Sequence, residues 1–283
     1  MEEIFISFLK EKASLIENEI DKVISQYKTS PLFPALSYSL KSGGKRLRPI
    51  LLLASYSSFK DDIEKAVPFS VSIEFIHTYS LIHDDLPSID NADTRRGRAS
   101  LHKVFGEDIA VLTGDALLTL AFENMTKSKE FNDKIILECI KELSVDAGIN
   151  GMVGGQVMDV MTTPQDATDE VLYYIHSKKT GSLIKASIKI GGILSEIDEE
   201  TLDKLENFGD KIGLTYQVLD DIEDSKNIKE DENRVTFPKF FGIEKSKEIA
   251  ANLLNESLII LDNISLKNEI LKSFVYYLKS WLS

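Results

Sequence analysis

The sequence predicts an all-α protein, and three observations lead to that fold class. Apolar residues recur at three- and four-residue steps over long stretches, which is the spacing of one face of a helix. Alternating strand patterns and hairpin turns are missing, apart from "INGM" in a helical context. Glycine and proline, which interrupt helices, number only 15 and 7 in 283 residues. No repeat, linker or low-complexity tract divides the chain, so we expect one domain over residues 1–283.

The predicted helices follow one another along the chain. Residues 2–27 alternate apolar and charged positions and predict an amphipathic surface helix. "TSPLFPALSYSLKSGGKRLRP" predicts a short helix that ends at two glycines. "ILLLASYSSF" and "AVPFSVSIEFIHTYSLIHDD" carry almost no charge, so we expect two helices buried at the centre of the fold. Further helices are predicted at 107–125, 132–160, 168–191, 199–224 and 243–281.

Composition restricts the class of protein. With 43% hydrophobic and 28% charged residues, the chain is typical of a globular protein with a sizeable core. Its net charge of −13 argues against nucleic acid as a partner, since phosphate binding requires a basic face. A phosphate-bearing substrate therefore has to be held by local basic groups or by metal ions, because the overall charge does not attract it.

Cysteine content and the first residues bear on location. The lone cysteine, Cys139, excludes an internal disulfide and fits a reducing compartment. It lies in the apolar run "KIILECIKEL" and is predicted to be a buried structural thiol. The stretch "MEEIFISFLKEK" has acids where a signal peptide has basic residues, and no uncharged apolar run approaches the ~18 residues of a membrane span. We expect a soluble, cytoplasmic protein.

The stretch "LIHDDLPSIDNADTRRG" places acidic residues at the end of an apolar helix, next to the negative end of the helix dipole. His77, Ser80 and Asp84 lie along one stripe of that helix. Pro87 is expected to end the helix within a few residues, because proline has no amide donor, and Asp90 then folds back towards Asp84. Carboxylates in so unfavourable a position indicate a bound cation.

A second stretch, "IGLTYQVLDDIEDSKN", repeats this arrangement, and its face-sharing residues are Gln217, Asp220, Asp221 and Asp224. Oxygen ligands without histidine or cysteine favour Mg2+, Mn2+ or Ca2+, and the lack of EF-hand spacing argues against calcium sensing. Either cluster alone also fits a solvated helix end. Two clusters that each end an apolar helix favour a pair of metal-binding rims instead.

Three short basic groups stand out in so acidic a chain, and together with the acidic rims they predict a site for more than one phosphate group. The first, "GGKRLRP", follows two glycines, where the backbone can approach an anion closely. The second directly follows the first acidic cluster, and the third, "HSKKTGS", combines ammonium groups with a hydroxyl suited to phosphate oxygens. Their residues are Lys45, Arg46 and Arg48; Arg95 and Arg96; and Lys178, Lys179 and Thr180.

These groups predict an apolar helical cavity with a metal-bound diphosphate at its mouth and a second anion site beside it. Such a site removes a diphosphate leaving group from carbon by Lewis-acid charge neutralisation, while apolar walls shelter the carbocation and exclude water. No nucleophile paired with a base is visible in the sequence. "GGKRL" is not a Walker motif, so hydrolysis of nucleoside triphosphates has no support.

Six ordered motifs carry a family resemblance over nearly the whole chain: "GGKRLRP", "HTYSLIHDDLPSIDNADTRRG", "LTGDALLTLAFE", "GGQVMD", "HSKKTGSLI" and "YQVLDDIED". The chain closely resembles the trans-isoprenyl diphosphate synthases, specifically the bacterial farnesyl diphosphate synthase type. The resemblance implies a single-domain isoprenoid synthase bundle of helices around a central apolar cavity, usually as a homodimer. It also implies head-to-tail condensation of isopentenyl diphosphate with dimethylallyl or geranyl diphosphate. About three Mg2+ ions, or Mn2+ in their place, would assist ionisation of the allylic diphosphate.

The resemblance implies four overlapping sets of site residues. The metal ligands are Asp84, Asp85 and Asp90 of the first motif, and Asp220 with, less directly, Asp221 and Asp224 of the second. The contacts to isopentenyl diphosphate are Lys45, Arg48, His77 and Arg96. The contacts to the allylic diphosphate are Arg95, Lys179, Thr180 and Gln217. The residues implied in catalysis itself are Asp84, Asp85, Asp90, Arg95, Lys179 and Asp220.

Product length is implied by one aromatic residue. Tyr79 lies five residues before Asp84. In the family, an aromatic residue there, with the four-residue gap of "DDLPSID", is similar to enzymes that stop at fifteen carbons. We expect the Tyr79 ring to form a floor against further elongation. The alternative is an aromatic residue of the core with no part in product length.

The chain also departs from the family pattern. Ala92 stands where relatives often carry an acid, which matters little if Asp90 is the ligand. The segment "SKNIKEDENRVTFP" is shorter than the usual loop, and Arg234 replaces a lysine whose ammonium has a different geometry. Lys226 or Lys229 is a candidate substitute for a second lysine. The sequence therefore does not decide whether this loop closes over the diphosphate, which would affect the rate or the product length.

The sequence leaves several alternatives to a farnesyl diphosphate synthase. They are a geranyl or geranylgeranyl diphosphate synthase, a terpene cyclase or head-to-head enzyme, a non-catalytic partner subunit, and a Mg2+-dependent diphosphate hydrolase. The groups for a second diphosphate argue against a cyclase, and the intact acidic motifs argue against a non-catalytic subunit. Apolar, water-poor helices argue against the hydrolase. The sequence leaves the product length and the preferred allylic primer open.

Overall fold

The predicted all-α class is confirmed by the computed structural model, which describes residues 1–225 and 235–282. Fourteen α-helices form within those residues. In the first half they are α1 (Glu2–Ser25), α2 (Phe33–Leu40), α3 (Leu47–Ser57), α4 (Val67–Asp84), α5 (Leu101–Phe105), α6 (Glu107–Thr126) and α7 (Asp133–Ala147). In the second half they are α8 (Met152–Met161), α9 (Asp169–Ile175), α10 (Ser182–Leu194), α11 (Glu199–Asp224), α12 (Phe237–Phe241), α13 (Ile243–Asp262) and α14 (Ile270–Lys279). Short 3-10 turns lie at Ile63–Ala66 and Ser280–Leu282, and a π-helical turn, His176–Gly181, joins α9 to α10.

The two uncharged sequence runs form α3 and α4, and both helices are buried on almost every side as predicted. α4 packs along α6, and α10 packs between α3 and α11. α1 is amphipathic, and its buried face meets α14, where the ring centroids of Phe5 and Phe274 lie 4.6 Å apart. Cys139 is buried in α7 with no disulfide partner, and burial raises the pKa of its thiol.

Two of the long predicted helices are interrupted. The prediction at 132–160 was wrong at the "INGM" segment, where the chain turns between α7 and α8. A side chain at Gly151 would lie 2.0 Å from the carbonyl oxygen of Asp146, so this turn requires glycine. The prediction at 243–281 was also wrong, because α13 ends at Asp262 and α14 begins at Ile270.

A short hairpin, which the sequence patterns did not predict, follows the first acidic cluster. Strand β1 (Thr94–Arg95) pairs with β2 (Arg98–Ala99) in antiparallel register. Between them, Arg96 and Gly97 have φ angles of 53° and 74°, as a two-residue hairpin turn requires. Strands of two residues are too short to show alternation in a sequence, but this turn fixes the directions of Arg95 and Arg96.

None of the helices in residues 1–225 and 235–282 combines the length and the apolar character that crossing a membrane would require.

Candidate active site

A cavity of about 460 Å3 opens between α4 and α8. His77, Ser80 and Asp84 line it together, as their spacing on one stripe of α4 predicts. Tyr79 lines it as well and is buried. The opposite wall, on α8, is mainly apolar; Gln156 is its polar member, and the apolar side chains are Met152, Val153, Val157, Val160 and Met161. Polar groups therefore lie mainly on the side of α4 and the π-helical turn, and the α8 side offers an apolar surface.

The end of α4 has the geometry that the proline predicts. The helix ends at Asp84, and the chain turns back through Pro87. The amide of Asp90 donates a hydrogen bond to the carbonyl oxygen of Asp84 at a distance of 2.9 Å. The backbone fold-back that brings Asp90 next to Asp84 is confirmed.

The negative charge of Asp84 is not fully neutralised by the cations around it. Burial, together with the neighbouring carboxylates of Asp90 and Asp85, raises the pKa of Asp84 to about 6 against the opposing effect of Lys179 and Arg95. A carboxyl group with a raised pKa is destabilised in its charged form. A cation at the mouth of the cavity would remove that destabilisation.

The adjacent acid, Asp85, points elsewhere. It is 3% exposed, and Arg95 donates to its Oδ1 from Nε at 2.9 Å and from Nη2 at 2.5 Å. Two residues predicted to contact metal and allylic diphosphate therefore contact each other in this structure. Asp84 and Asp85 differ because successive residues of a helix point about 100° apart.

The loop before α3 buries the side chain of one arginine, Arg46, in the protein interior. Arg46 has a φ of 50° and is 3% exposed. Its Nη1 lies 2.5 Å from Oε1 of Glu74 on α4, its Nε lies 2.7 Å from Oε1 of Glu17 on α1, and its Nη2 donates to the carbonyl oxygen of Leu40. All three guanidinium nitrogens therefore have partners within the protein, and Arg46 anchors the loop to α1 and α4.

The remaining basic groups of this region face one another. Arg48 lies in the cavity wall with its Nη1 3.4 Å from Nε2 of His77, and its Nε has no hydrogen-bond partner within the described residues. Burial lowers the pKa of Arg48, and burial with Arg48 and Arg96 close by lowers the pKa of His77 well below its ordinary value. Arg96 donates to the carbonyl oxygen of Gly43. A cluster of partly desolvated cations around a neutral histidine is suited to an anion.

Lys45, the third predicted basic contact of this loop, is exposed. Its Nζ lies 4.8 Å from the ring centroid of Trp281, near the end of the described chain. The aromatic face holds the ammonium group beside the loop by a cation–π contact.

The second acidic cluster is joined to the π-helical turn by a chain of hydrogen bonds. Thr180 Oγ1 donates to Gln217 Oε1 at 2.6 Å, and Gln217 Nε2 donates to Asp221 Oδ1 at 2.8 Å. Oδ2 of Asp221 lies 2.8 Å from Nε2 of His176 and accepts from the amide of Phe237 at 3.0 Å. Asp221 is 1% exposed, so this acid ties α11 to the π-helical turn and to α12.

The other acids of α11 are more accessible. Asp220 is half-buried, and its charge partly offsets the lowering of the Arg48 pKa, so it lies on the side of the basic cluster. Asp224 is exposed at the end of the helix. As in the first cluster, neighbouring acids divide between the protein interior and the site.

Among residues 1–225 and 235–282, no three histidine, cysteine, aspartate or glutamate side chains lie close enough together to hold a metal ion by themselves. The hard oxygens of Asp84 and Asp90 nevertheless fit a divalent ion such as Mg2+, which takes few carboxylates and completes its shell with water and substrate phosphate oxygens. Lys226, Lys229 and Arg234, for which the sequence left a role in closure open, lie outside the described residues.

Comparison with known proteins identifies the family. The family model described as "Polyprenyl synthetase" matches residues 30–259. The chain belongs to the polyprenyl synthetase family. It is 39% identical to a farnesyl diphosphate synthase of Micrococcus luteus, over 88% of this chain and 89% of the relative. It is also 39% identical to the chloroplastic geranylgeranyl pyrophosphate synthase 7 of Arabidopsis thaliana, over 89% of this chain and 77% of that one.

A solved structure agrees with this assignment. The crystal structure of an FPP/GFPP synthase from Zymomonas mobilis superposes with a TM-score of 0.85 at 32% identity, covering 97% of this chain and 99% of that chain. The predicted isoprenoid synthase fold is thereby confirmed. As a polyprenyl synthetase, the protein is a prenyltransferase of the trans-prenyl diphosphate synthase type that acts on isoprenoid diphosphates, and the family uses divalent metal ions.

Sequence reasoning missed four side chains in or behind this polyprenyl synthetase site. Asp159 lies 2.5 Å from Lys179 Nζ, and both carboxamide atoms of Gln156 are buried in the cavity wall without a hydrogen-bond partner among the described residues. Both belong to "GGQVMD", a motif that was recognised but given no role. The other two are Glu74, the only acid in the apolar run that precedes His77, and His176, the first residue of the "HSKKTGS" motif, to which no role was given.

The buried anchor of the loop gives a testable prediction. Arg46→Met leaves Glu74, which is 1% exposed, as an uncompensated buried charge, so we expect the free energy of unfolding to fall by about 3–5 kcal/mol in urea denaturation. Lys41→Met is the matched control, because the Lys41–Asp21 pair is about half exposed and its loss is expected to lower that free energy by at most about 1 kcal/mol. Equal effects of the two substitutions would contradict the anchoring role.

Proposed function

We propose that this polyprenyl synthetase condenses isopentenyl diphosphate head-to-tail with dimethylallyl or geranyl diphosphate and releases mainly farnesyl diphosphate. The observation that carries the proposal is the division of the cavity. One end is lined by Asp84, Lys179 and Thr180, with a second basic cluster around Arg48 beside it, and the buried Tyr79 ring stands in the wall further along α4. Two anion sites thus lie side by side at the opening of one apolar cavity, whose length is limited by the Tyr79 ring. We take residues 1–283 to form one such domain.

The basic loop is proposed to hold isopentenyl diphosphate. Arg48, Arg96 and Lys45 supply cationic donors, and neutral His77 adds an imidazole beside them. Lowered pKa values of Arg48 and Arg96, which result from burial, indicate charges that an anion would stabilise. Binding there would orient the double bond of the substrate towards the allylic carbon.

The allylic diphosphate is proposed to lie between the ends of α4 and α11. Lys179, Thr180 and Gln217 would contact it from the π-helical turn and α11, and Arg95 would donate to it as well as to Asp85. Asp84, Asp90 and Asp220 would hold Mg2+, with Asp85, Asp221 and Asp224 in supporting positions. Bound Mg2+ supplies Lewis-acid neutralisation of the leaving diphosphate. The apolar α8 wall excludes water from the allylic cation, and the released diphosphate accepts the proton lost after carbon–carbon bond formation.

A geranylgeranyl diphosphate synthase is the second candidate for product length. It is favoured by the relatives, because the Arabidopsis thaliana protein, at 39% identity, carries that name. The buried Tyr79 ring in the cavity wall favours the shorter, fifteen-carbon product.

We also propose a homodimer. Apart from the α8 side chains that line the cavity, large apolar side chains with exposed fractions of 40% or more are frequent along α6, α7 and the turn that joins α7 to α8; they are Val111, Leu112, Leu137, Val145 and Ile149. Contiguous exposed apolar surface commonly marks a protein interface. The proposed cytoplasmic location rests on the lone Cys139, because a chain without an internal disulfide fits a reducing compartment.

Asp84→Ala tests the proposed metal site. Since Asp84 lines the cavity and burial destabilises its charged form, which a bound cation would stabilise, we expect turnover with Mg2+ to fall by at least about 10^3-fold while the thermal unfolding temperature stays within a few degrees. Asp203→Ala, which removes an exposed carboxylate of α11, is the control and should retain activity. Near-normal turnover of Asp84→Ala would remove the role assigned to this residue.

Product analysis tests the reaction and the role of Tyr79. Purified protein is incubated with Mg2+, labelled isopentenyl diphosphate and dimethylallyl or geranyl diphosphate, and the dephosphorylated alcohols are sized. We expect a dominant fifteen-carbon alcohol from the natural sequence and longer alcohols from Tyr79→Ala, because removal of the ring lengthens the cavity. Twenty-carbon product from the natural sequence would favour the second candidate. An absence of elongation with both primers would reject the reaction.

Sedimentation velocity tests the dimer. We expect twice the mass of one chain in solution and a shift to monomer in Leu112→Lys, because a lysine replaces an apolar side chain that is 52% exposed on α6. Ile259→Lys, which changes an apolar residue of α13 that is 63% exposed, should leave the mass unchanged. A monomeric natural protein would reject the proposal.

A further inference from the structure

His83 is held tightly between two helices beside the cavity. It lies one residue before Asp84, on the side of α4 that faces α6. Its Nε2 lies 3.1 Å from the carbonyl oxygen of Val111, so this nitrogen carries the proton and donates it. A Cβ at Gly114 would lie 2.1 Å from the same nitrogen, so only glycine leaves room for the imidazole at this position of α6.

The other side of the imidazole supports Tyr79. The two rings meet edge to face, with centroids 5.8 Å apart and an interplanar angle of 77°. Residues four apart on a helix lie one above the other, and both side chains line the cavity. Tyr79 thus rests against a ring that the backbone of α6 already holds in place.

We propose that His83 is a positioning residue that keeps the Tyr79 ring across the cavity, and that the close contact of His83 with Gly114 thereby limits product length. The inference rests on the proposed prenyl elongation. Without the imidazole, the space between α4 and α6 beside Gly114 becomes available to the Tyr79 ring, and the cavity lengthens. With a methyl group at Gly114, the imidazole has to move towards Tyr79 and the cavity shortens.

Three variants test the proposal by product ratio, which does not depend on the overall rate of each variant. With dimethylallyl diphosphate as primer, His83→Ala should raise the ratio of twenty-carbon to fifteen-carbon alcohol by about tenfold or more. Gly114→Ala should shift the product towards ten carbons by a similar factor. In the double variant the added methyl has no imidazole to displace, so its products should match those of His83→Ala rather than those of Gly114→Ala.

A second background tests whether His83 acts through Tyr79. In Tyr79→Ala, the further change His83→Ala should alter the product ratio by less than about twofold, since the ring that it positions is gone. An additive effect in this background would show that His83 limits the cavity directly and would overturn the positioning role.

Matched controls separate product length from packing. His102→Ala removes a buried imidazole of α5 that lies outside the cavity. Gly192→Ala adds a methyl group to α10, also outside the cavity, at a distance of 2.9 Å from Leu205 Cδ1 of α11. Both are expected to lower the unfolding temperature without changing the product ratio. If His83→Ala and Gly114→Ala behave like these controls, the inference is wrong. If the natural sequence elongates no primer at all, the proposed function fails instead, so the two failures are distinguishable.

Discussion

The buried ion pair between Arg46 and Glu74 is the interaction on which the rest of the site depends. It joins the loop that carries Lys45 and Arg48 to the helix that carries His77 and its neighbours, and both side chains are 1% exposed. Two charges removed from water require mutual pairing and further hydrogen bonds, and Glu17 and the Leu40 carbonyl provide them for Arg46. The position of the loop relative to α4 is therefore fixed without any ligand.

At each charged motif, one charged residue is bound within the protein and a neighbouring one faces the site. In the first acidic motif, Asp85 is bound by Arg95, while Asp84 faces the cavity. In the second, Asp221 is bound by His176, Gln217 and a backbone amide. Neighbouring charged residues point in different directions along a helix, so one can hold the backbone while the next meets the substrate. Rigid support of this kind limits the reorganisation that a charged transition state would otherwise require.

The sequence predicted the parts of the fold that depend on periodicity. Uncharged runs predicted α3 and α4, and the stripe that holds His77 and Asp84 predicted one wall of the cavity. The breaks at Gly151 and after α13 were not predicted, because apolar spacing continues across both. The motif pattern alone did not reveal which acid of a pair faces inward. That distinction depends on partners such as Arg95 and His176, and spacing along one chain does not show which distant residues meet.

In the proposed reaction, product length depends on different residues from those that carry the charges. The chain is 39% identical both to a farnesyl diphosphate synthase and to a geranylgeranyl pyrophosphate synthase, so overall similarity does not separate the two activities. In that proposal, the charged groups at the mouth bind the diphosphates whatever the length of the tail, so the discrimination between chain lengths falls to the cavity wall around Tyr79 on α4. An aromatic ring blocks a cavity only if it is held there, since a ring that rotates aside removes the barrier. If the Tyr79 ring sets product length as proposed, the contacts behind it, on the side of α6, belong to the determinants of specificity as much as the ring itself.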